Sequence, residues 1–248
     1  MDVKEYVRLS NLDFSGWDFS CLLNSGRMQE EMLSWSYGSS VLPYMQRSNS
    51  MLDMGTGGGE LLSTLQPFPK KIAATEQYKP NVQIAKQRLE PLGVKVKEIQ
   101  GDHNLPFASS SFDLVINRHE SYNVNEVKRI LTNNGTFITQ QVGGADCADL
   151  NKLFGVPVNG EYLNWNLSNA VKDLKNAGLS VTFCKEEFPE QRFYDVGAIL
   201  YYLKAIPWQI INFDPIDYMD ELNMIDQRIQ STGYIEVRQH RFIISANK

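Results

Sequence analysis

Residues 52–62 read LDMGTGGGELL, a glycine-rich stretch between a strand-like apolar run and a leucine-rich helical segment. A turn of this kind between the first strand and the first helix of a doubly wound sheet is typical of a nucleotide-type binding site. A tight turn that needs positive φ also favours glycine, but four glycines among residues 55–59 exceed what one turn requires. We therefore predict that a ligand approaches this backbone closely, and a tight turn alone is the alternative.

The spacing of the glycines argues against two phosphate-binding motifs. In the dinucleotide-binding motif a third small residue would stand at position 60, which is Glu60 here, and a carboxylate at a helix start would repel a pyrophosphate. No Gly-Lys-Ser/Thr follows the loop, which excludes a P-loop. The stretch indicates a ligand that needs close approach to the backbone but brings no phosphate to the loop.

Short apolar runs alternate with helical patterns from residue 50 onward. This alternation predicts an α/β fold with a doubly wound, mostly parallel sheet covered by helices on both faces. The predicted strands are residues 50–54, 71–75, 94–99, 112–117, 136–142, 179–184 and 235–245, and the predicted helices are residues 28–44, 59–65, 80–92, 123–131, 167–177, 195–206 and 217–230. Because no simple crossover helix joins the last two strands, we predict that they pair antiparallel at one edge of the sheet.

We predict a single domain of 248 residues, without internal repeats, low-complexity tracts or an obvious linker. Its predicted parts are a helical cap (1–48), a ligand-binding core (49–185), a helical insertion that acts as a substrate lid (186–232) and the last strand (233–248). Gly178 is expected to end the helix over residues 167–177.

Composition and charge narrow the classes of partner. The net charge is −5. This argues against nucleic acid as a partner, because neutralising phosphates supplies most of the affinity of a protein for nucleic acid.

Three cysteines without metal-type spacing predict reduced thiols and no metal site. The N-terminus lacks the apolar core of a signal peptide, and the longest apolar run is interrupted by Lys204 and Pro207. We predict a cytoplasmic protein that does not enter a membrane, while its oligomeric state has no signal in the sequence.

Acidic residues follow two further strands of the predicted sheet. Glu76 ends the second strand, where a carboxylate can accept hydrogen bonds from both hydroxyls of a ribose. Asp102 follows the third strand and is placed to accept from an adenine amino group. The structural alternatives are a solvated loop carboxylate for Glu76 and an ordinary turn residue for Asp102.

Four segments, in this order, resemble the class I S-adenosylmethionine-dependent methyltransferases: LDMGTGGGE at 52–60, ATE at 74–76, GDHNLPFASSSFDLVI at 101–116 and EVKRILTNNGTFI at 126–138. The LPF and SFDLV portions are similar to the branch that contains ubiquinone- and menaquinone-type methylases. The resemblance implies a Rossmann-like, seven-stranded sheet with an antiparallel last strand. It also implies S-adenosylmethionine as the cofactor and S-adenosylhomocysteine as the product.

By position, the resemblance assigns site residues to the ends of the strands. The implied cofactor-binding residues are Asp53, Gly55, Thr56, Gly57, Gly59, Glu76, Gln77, Asp102, His103 and Asn117. Arg118 would lie with Asn117 near the transferred methyl group. His119 is the candidate general base, and Glu120 would orient its imidazole. The alternative is that His119 caps or packs the next helix.

Aromatic residues outside the core predict where the methyl acceptor binds. The cap contains Trp17, Phe19, Trp35 and Tyr37, and the insertion contains Tyr194, Tyr201 and Trp208. Aromatic side chains beside the open edge of such a sheet are typical of an apolar pocket under a lid. We predict that Trp35, Tyr37, Tyr194, Tyr201 and Trp208 bind the substrate. A satellite core within the insertion is the structural alternative.

Charge in the insertion favours a small acceptor. Residues 186–232 contain nine acidic and three basic side chains, a net charge of −6, which would repel a phosphate backbone. The sequence therefore predicts methyl transfer to a small, partly apolar molecule. An RNA base methyltransferase and a non-catalytic S-adenosylmethionine-binding protein stay open as alternatives, and Glu60 counts against an NAD-dependent oxidoreductase.

Overall fold

The computed structural model describes residues 19–248, so Trp17 and the first part of the predicted cap lie outside the described residues. The chain divides into two compact units. The large-sheet unit comprises residues 34–142, 165–186 and 242–248. The small-sheet unit comprises residues 143–164 and 187–241, together with the described residues up to 33. The sequence-based division of one domain into four parts stays a prediction.

The large-sheet unit is built on seven strands, numbered along the chain. They are β2 (Ser50–Met54), β3 (Lys71–Glu76), β4 (Lys95–Glu98), β5 (Phe112–Arg118), β6 (Leu131–Val142), β7 (Ser180–Glu187) and β10 (Arg241–Asn247). Their order is β4-β3-β2-β5-β6-β10-β7. β2 runs parallel to β3 and β5, β3 to β4, and β5 to β6, whereas β10 is antiparallel. The predicted Rossmann-like sheet with one reversed strand is confirmed.

Helices cover both faces of this sheet. They are α2 (Tyr37–Met45), α3 (Glu60–Thr64), α4 (Lys79–Leu89), α5 (Val124–Ile130) and α7 (Leu167–Asn176). Successive strand residues point to opposite faces, and in β2 Met51 joins one apolar cluster while Leu52 and Met54 join the other. Burial of both faces explains why apolar residues occupy successive positions at Met51 and Leu52.

The order of the strands creates a crevice. From β2 the chain first goes to one edge of the sheet through β3 and β4, and it then returns to the other side of β2 with β5 and β6. In open α/β sheets, ligands bind at such a reversal, outside the carboxyl ends of the strands. Residues 55–59 follow β2 and residues 119–120 follow β5. The fold therefore brings the glycine loop and the predicted catalytic residues to the same edge.

The small-sheet unit has its own antiparallel sheet. Its strands are β1 (Met28–Glu30), β8 (Glu190–Phe193) and β9 (Ile235–Arg238), in that order. Its helices are α1 (Ser20–Asn24), α6 (Ala148–Leu153), α8 (Val196–Ala205) and α9 (Met219–Thr232). All residues of α8 except Lys204 are buried, and they contribute to an apolar cluster within this unit. The unit therefore has a hydrophobic core of its own.

Three predicted elements need correction. Residues 28–36 are not helical, because Met28–Glu30 is a strand and α2 begins only after Ser36, whose hydroxyl accepts a hydrogen bond from the Ser39 N–H. The insertion is not helical throughout, because it contains β8. The predicted last strand is two strands in different sheets, β9 and β10. Their β-type composition continues on both sides of the break, so the pattern does not mark it.

Contacts of His240 hold the chain at the break between β9 and β10. The His240 N–H donates to Asp146 Oδ1 (2.7 Å), and the His240 C=O accepts from the Gly143 N–H (2.9 Å). The ring is 3% exposed and stacks on Phe188, with centroids 4.5 Å apart. Its Nδ1 accepts from the Ala145 N–H at 3.3 Å. A Cβ on Gly143 would lie 2.2 Å from this ring, so the fixed imidazole leaves room only for glycine.

Gly143→Ala is expected to destabilise the small-sheet unit by about 1–3 kcal/mol, because the added methyl group would overlap an imidazole that cannot move. Urea unfolding followed by circular dichroism measures the free energy of unfolding. Gly160→Ala is the control, since a Cβ there would meet no atom of the described chain within 4 Å. Equal stability of the two variants would contradict the proposed overlap.

Candidate functional site

The glycine loop joins β2 to α3 at the crevice. Gly55, Gly57 and Gly59 have φ angles of +69°, +62° and +80°, in the left-handed region that favours glycine. The conformation of the turn therefore explains part of the glycine content, as the structural alternative in the sequence analysis holds. The neighbours of each glycine show what else is required.

Two of these glycines pack against side chains of the protein, and the third faces open space. A Cβ on Gly55 would lie 2.3 Å from Cγ of Glu120, and a Cβ on Gly59 would lie 2.7 Å from Cδ1 of Leu89 in α4. A Cβ on Gly57 would meet no atom of the described residues within 4 Å. The loop therefore packs against two side chains of the protein itself, and Gly57 is the position that a ligand can approach.

Glu60 stabilises the loop through α4. It begins α3, and its carboxylate pairs with the guanidinium of Arg88. Arg88 also donates a hydrogen bond to the Gly58 C=O. The residue that departs from the dinucleotide-binding pattern thus connects the loop to the neighbouring helix.

Glu76 is a buried carboxylate that faces the loop. It ends β3 and is 2% exposed. Its Oε2 accepts from the Gly57 N–H and its Oε1 from the Tyr78 N–H, both at 2.7 Å. Burial raises the pKa of Glu76, although the N–H groups of Tyr78, Gly57 and Gln77 oppose that rise. A carboxylate can accept about four hydrogen bonds, so acceptor positions remain for a ligand.

Asp53 is a second buried carboxylate, 8% exposed, in β2 directly before the loop. Burial raises its pKa to about 6; the nearby Thr56 hydroxyl opposes the rise and the charge on Glu76 adds to it. Burial and the charge of Asp53 also raise the pKa of Tyr37, whose ring is buried in α2. The structure therefore places Tyr37, a predicted substrate residue, close to Asp53 at the start of the glycine loop.

Two further carboxylates complete what we call the acidic group, which consists of Asp53, Glu76, Asp102 and Glu120. Burial raises the pKa of Glu120, the charge on Glu76 raises it further, and Asp102 acts in the same direction. Asp102 Oδ1 lies 2.6 Å from Nδ1 of His103, which is 83% exposed. Mutual repulsion within the acidic group favours a cationic ligand beside it.

A buried polar network links the ends of β2, β5 and β6. Asn117 Oδ1 accepts from Thr139 Oγ1 at 2.9 Å and from Gln141 Nε2 at 2.6 Å. Asn117 Nδ2 donates to the Met54 C=O at 3.3 Å. Gln141 Nε2 also donates to the Glu120 C=O at 3.0 Å. These bonds join the end of β5 to the end of β2 and hold Glu120, which follows β5, against β6. The cofactor contact of Asn117 stays a prediction.

His119 has a φ of +59°, a conformation that few residues other than glycine adopt. Its N–H donates to the Gln140 C=O at 2.8 Å, and its Nε2 lies 3.0 Å from Gln140 Nε2. Gln140 Oε1 accepts from the indole N–H of Trp35 at 2.9 Å. Trp35, predicted as a substrate residue, is therefore connected to the predicted general base. Arg118 is exposed next to them.

Three residues of β6 that were not predicted also belong to the site: Thr139, Gln140 and Gln141, each 4% exposed or less. Their signal is present in the run TFITQQV at 136–142. Polar residues in the middle of a strand that is buried on both faces need hydrogen-bond partners. Those partners here are site residues, so a polar run in an interior strand is the feature that could have indicated them.

The other predicted substrate residues lie in the small-sheet unit. Tyr201 is buried in the core of that unit, as the alternative of a satellite core expects. The Tyr194 hydroxyl donates to Gln29 Oε1 at 2.6 Å, and Trp208 is 42% exposed. The lid and the acceptor contacts of Tyr194 and Trp208 stay predictions.

Within residues 19–248, no group of three or more His, Cys, Asp or Glu side chains is arranged to hold a metal ion. Among the helices of this described part, none is both long enough and apolar enough to cross a bilayer. The cytoplasmic location stays a prediction.

Residues 52–139 match a family model described as a methyltransferase domain. Residues 52–139 are thus similar to a methyltransferase domain. This confirms the predicted class I methyltransferase family, whereas its ubiquinone- and menaquinone-type branch stays a prediction. The matched residues include the glycine loop, the whole acidic group and His119. Among curated proteins, none matches the chain.

Solved structures share the fold at low sequence identity. A candidate methyltransferase from Bacillus halodurans is 18% identical, with a TM-score of 0.59 over 85% of this chain and 98% of its own. A functionally unknown protein from Deinococcus radiodurans is 12% identical, with a TM-score of 0.60 over 98% of both chains. A geranyl diphosphate methyltransferase in complex with S-adenosylmethionine is 13% identical, with a TM-score of 0.50 over 85% of this chain and 83% of its own. At these identities the likeness is one of fold alone.

Asp53→Asn is expected to stabilise the large-sheet unit at neutral pH. The pKa of Asp53 is about 6 when folded and about 3.9 when unfolded, so the folded chain binds the proton more tightly. The free energy of unfolding therefore falls as pH rises from about 4 to about 6, by about 3 kcal/mol at most, and asparagine removes that fall. Urea unfolding at a series of pH values between 4.5 and 7.5 measures the difference.

Asp113→Asn is the matched control, for which the expected change in the free energy of unfolding has the opposite sign. Burial raises the pKa of Asp113, but hydrogen bonds from the Asn49 and Ser50 N–H groups, at 2.9 and 3.1 Å, outweigh it and lower that pKa. Removing this charge is expected to destabilise the protein at neutral pH. If Asp53→Asn lost stability at pH 7.5 as Asp113→Asn does, the destabilising charge assigned to Asp53 would be refuted.

Proposed function

We propose that the protein is an S-adenosylmethionine-dependent methyltransferase that methylates a small, partly apolar acceptor. The observation that carries the proposal is the position of Glu76, buried at the end of β3 and bonded to the Gly57 N–H at 2.7 Å. Its carboxylate can accept a further hydrogen bond, which suits a ribose hydroxyl. The methyltransferase domain supports a cofactor that contains such a ribose.

The residues around Glu76 fit the other parts of this cofactor. S-adenosylmethionine, when bound, supplies a methyl group on a positively charged sulfonium, from which methyl transfer is favourable. The acidic group suits that positive charge, and the open space at Gly57 suits close approach to the backbone. In the proposed arrangement, the methionine and ribose side is held by Asp53, Gly55, Thr56, Gly57 and Gly59, and the adenine by Gln77, Asp102 and His103.

The task of the protein in this reaction is alignment of the acceptor. An acceptor lone pair must lie in line with the methyl group, and orientation of two reactants can supply about 7–11 kcal/mol of a barrier. The network around Asn117 holds the residues after β5 in place beside the loop. Arg118, His119 and Glu120 are therefore the residues that we propose to meet the acceptor.

Charge supports a small acceptor over RNA. The whole chain has a net charge of −5, and residues 186–232 have a net charge of −6, both unfavourable for a phosphate backbone. The experiment that separates the alternatives supplies methyl-labelled S-adenosylmethionine to a cell extract. Label in small molecules supports the proposal, label in RNA supports RNA base methylation, and cofactor binding without any transfer supports a non-catalytic protein.

Glu76→Gln is expected to weaken S-adenosylhomocysteine binding by about 10- to 100-fold, because a hydrogen bond to a charged group contributes about 1.5–3 kcal/mol. Calorimetric titration measures the affinity, with NADH as the control ligand. Glu98→Gln is the control variant, since Glu98 is an exposed carboxylate that pairs in register with Glu76 on the neighbouring strand. Binding of NADH instead of S-adenosylhomocysteine, or equal affinity of both variants, would overturn the proposed ribose contact.

The acidic group is also expected to prefer S-adenosylmethionine, which is cationic at sulfur, over S-adenosylhomocysteine, which is not. The pKa of Asp53 is about 6, so its ionisation increases as the pH passes through 6, and burial also raises the pKa values of Glu76 and Glu120. The ratio of the two affinities is expected to shift toward S-adenosylmethionine by about fivefold from pH 5 to pH 7.5, equivalent to about 1 kcal/mol of charge attraction. Calorimetric titration with both ligands measures it, and an unchanged or falling ratio argues against the acidic group as the sulfonium site.

A further inference from the structure

The side chains of Trp35, Gln140 and His119 form a hydrogen-bonded row. The indole N–H at the Trp35 end fixes which atom donates in each of its hydrogen bonds. The indole nitrogen of Trp35 can only donate, and it lies 2.9 Å from the Gln140 amide. The amide atom that faces the indole is therefore the oxygen, Oε1. The other amide atom, which faces His119, is then the nitrogen Nε2.

This orientation determines the hydrogen positions on His119. The amide nitrogen of Gln140 only donates, so the His119 Nε2, 3.0 Å away, must accept. A neutral imidazole whose Nε2 accepts has its hydrogen on Nδ1. An imidazolium would instead place two N–H groups against each other, so the row favours the neutral ring.

The backbone supports the same placement. The His119 N–H donates to the Gln140 C=O at 2.8 Å while His119 has a φ of +59°. Gln140 therefore binds His119 through both its main chain and its side chain. Gln140 itself is 4% exposed, so its amide is held in a buried environment where hydrogen bonds are strong.

We propose that Gln140, held by Trp35, is a positioning residue that keeps His119 neutral with its hydrogen on Nδ1. For catalysis the consequence rests on the proposed function. Because Gln140 engages the lone pair of Nε2, that nitrogen does not remove a proton from the methyl acceptor, and the imidazole acts as an Nδ1–H donor. The general-base role predicted for His119 therefore does not apply at Nε2, and the acceptor brings its attacking lone pair without losing a proton there.

Nitrogen NMR of the full chain labelled at the histidine imidazoles tests this proposal, at a pH where all three histidines are neutral and without cofactor or acceptor. The protein contains both reference states. His240 Nδ1 accepts from the Ala145 N–H, so His240 has its hydrogen on Nε2, whereas His103 Nδ1 donates to Asp102. Replacing each histidine in turn by glutamine assigns the signals. His119 is expected to match the His103 pattern, and a match to His240 would overturn the proposal.

Two variants test the roles of Trp35 and Gln140. In Trp35→Phe the indole N–H is lost and the amide can turn, so the His119 nitrogen shifts are expected to move toward values intermediate between the two tautomers. In Gln140→Glu a carboxylate faces Nε2, and the hydrogen is expected to move to that nitrogen. Unchanged His103 and His240 signals show that the fold is kept, and unchanged His119 signals in both variants would refute the roles of these two residues.

The outcome is independent of the proposed function. Failure of S-adenosylhomocysteine to bind in the calorimetric titration would refute the cofactor assignment and leave the imidazole signals as they are. Conversely, a wrong tautomer on His119 would refute only the role of Gln140 and would leave cofactor binding intact.

Discussion

The hydrogen bond from the Gly57 N–H to the Glu76 carboxylate, 2.7 Å long, is the interaction on which the site depends. It ties the loop after β2 to the end of β3, and Gly57 makes it with a φ of +62°, in the left-handed region that glycine adopts easily. Contacts of Gly55 with Glu120 and of Gly59 with Leu89 complete the shape of the loop. The protein itself therefore sets the shape of the loop, which reduces the ordering that a ligand must bring about.

The buried carboxylates of the same region reduce the stability of the folded chain. Burial raises the pKa values of Asp53, Glu76 and Glu120, which means that their charges are less favourable in the folded chain than in water. Asp113, on the opposite end of β5, shows the contrary case, because hydrogen bonds lower its pKa. The charges of the acidic group thus oppose folding, whereas the charge of Asp113 favours folding. Functional sites often reduce the stability of a protein, and the acidic group fits that pattern.

The polar run in β6 has a related role. Thr139 and Gln141 satisfy the buried amide of Asn117, and Gln140 connects Trp35 to His119. Buried polar networks of this kind hold a unique arrangement when every member has a partner. Side chains from the neighbouring strand β6 therefore position the residues after β5.

The sequence by itself determined the alternation of strands and helices in the large-sheet unit, the glycine loop and the strand ends at which Asp53 and Glu76 lie, because these features depend on local apolar runs and turn residues. It did not determine the small sheet, since β1, β8 and β9 are short strands, far apart along the chain, that are paired only by tertiary contacts. For the same reason it did not separate β9 from β10, where contacts of His240 with Asp146 and Gly143 interrupt a pattern that suits one strand. The row from Trp35 to His119 spans residues distant in sequence, so only the tertiary structure decided which nitrogen of that imidazole accepts a hydrogen bond.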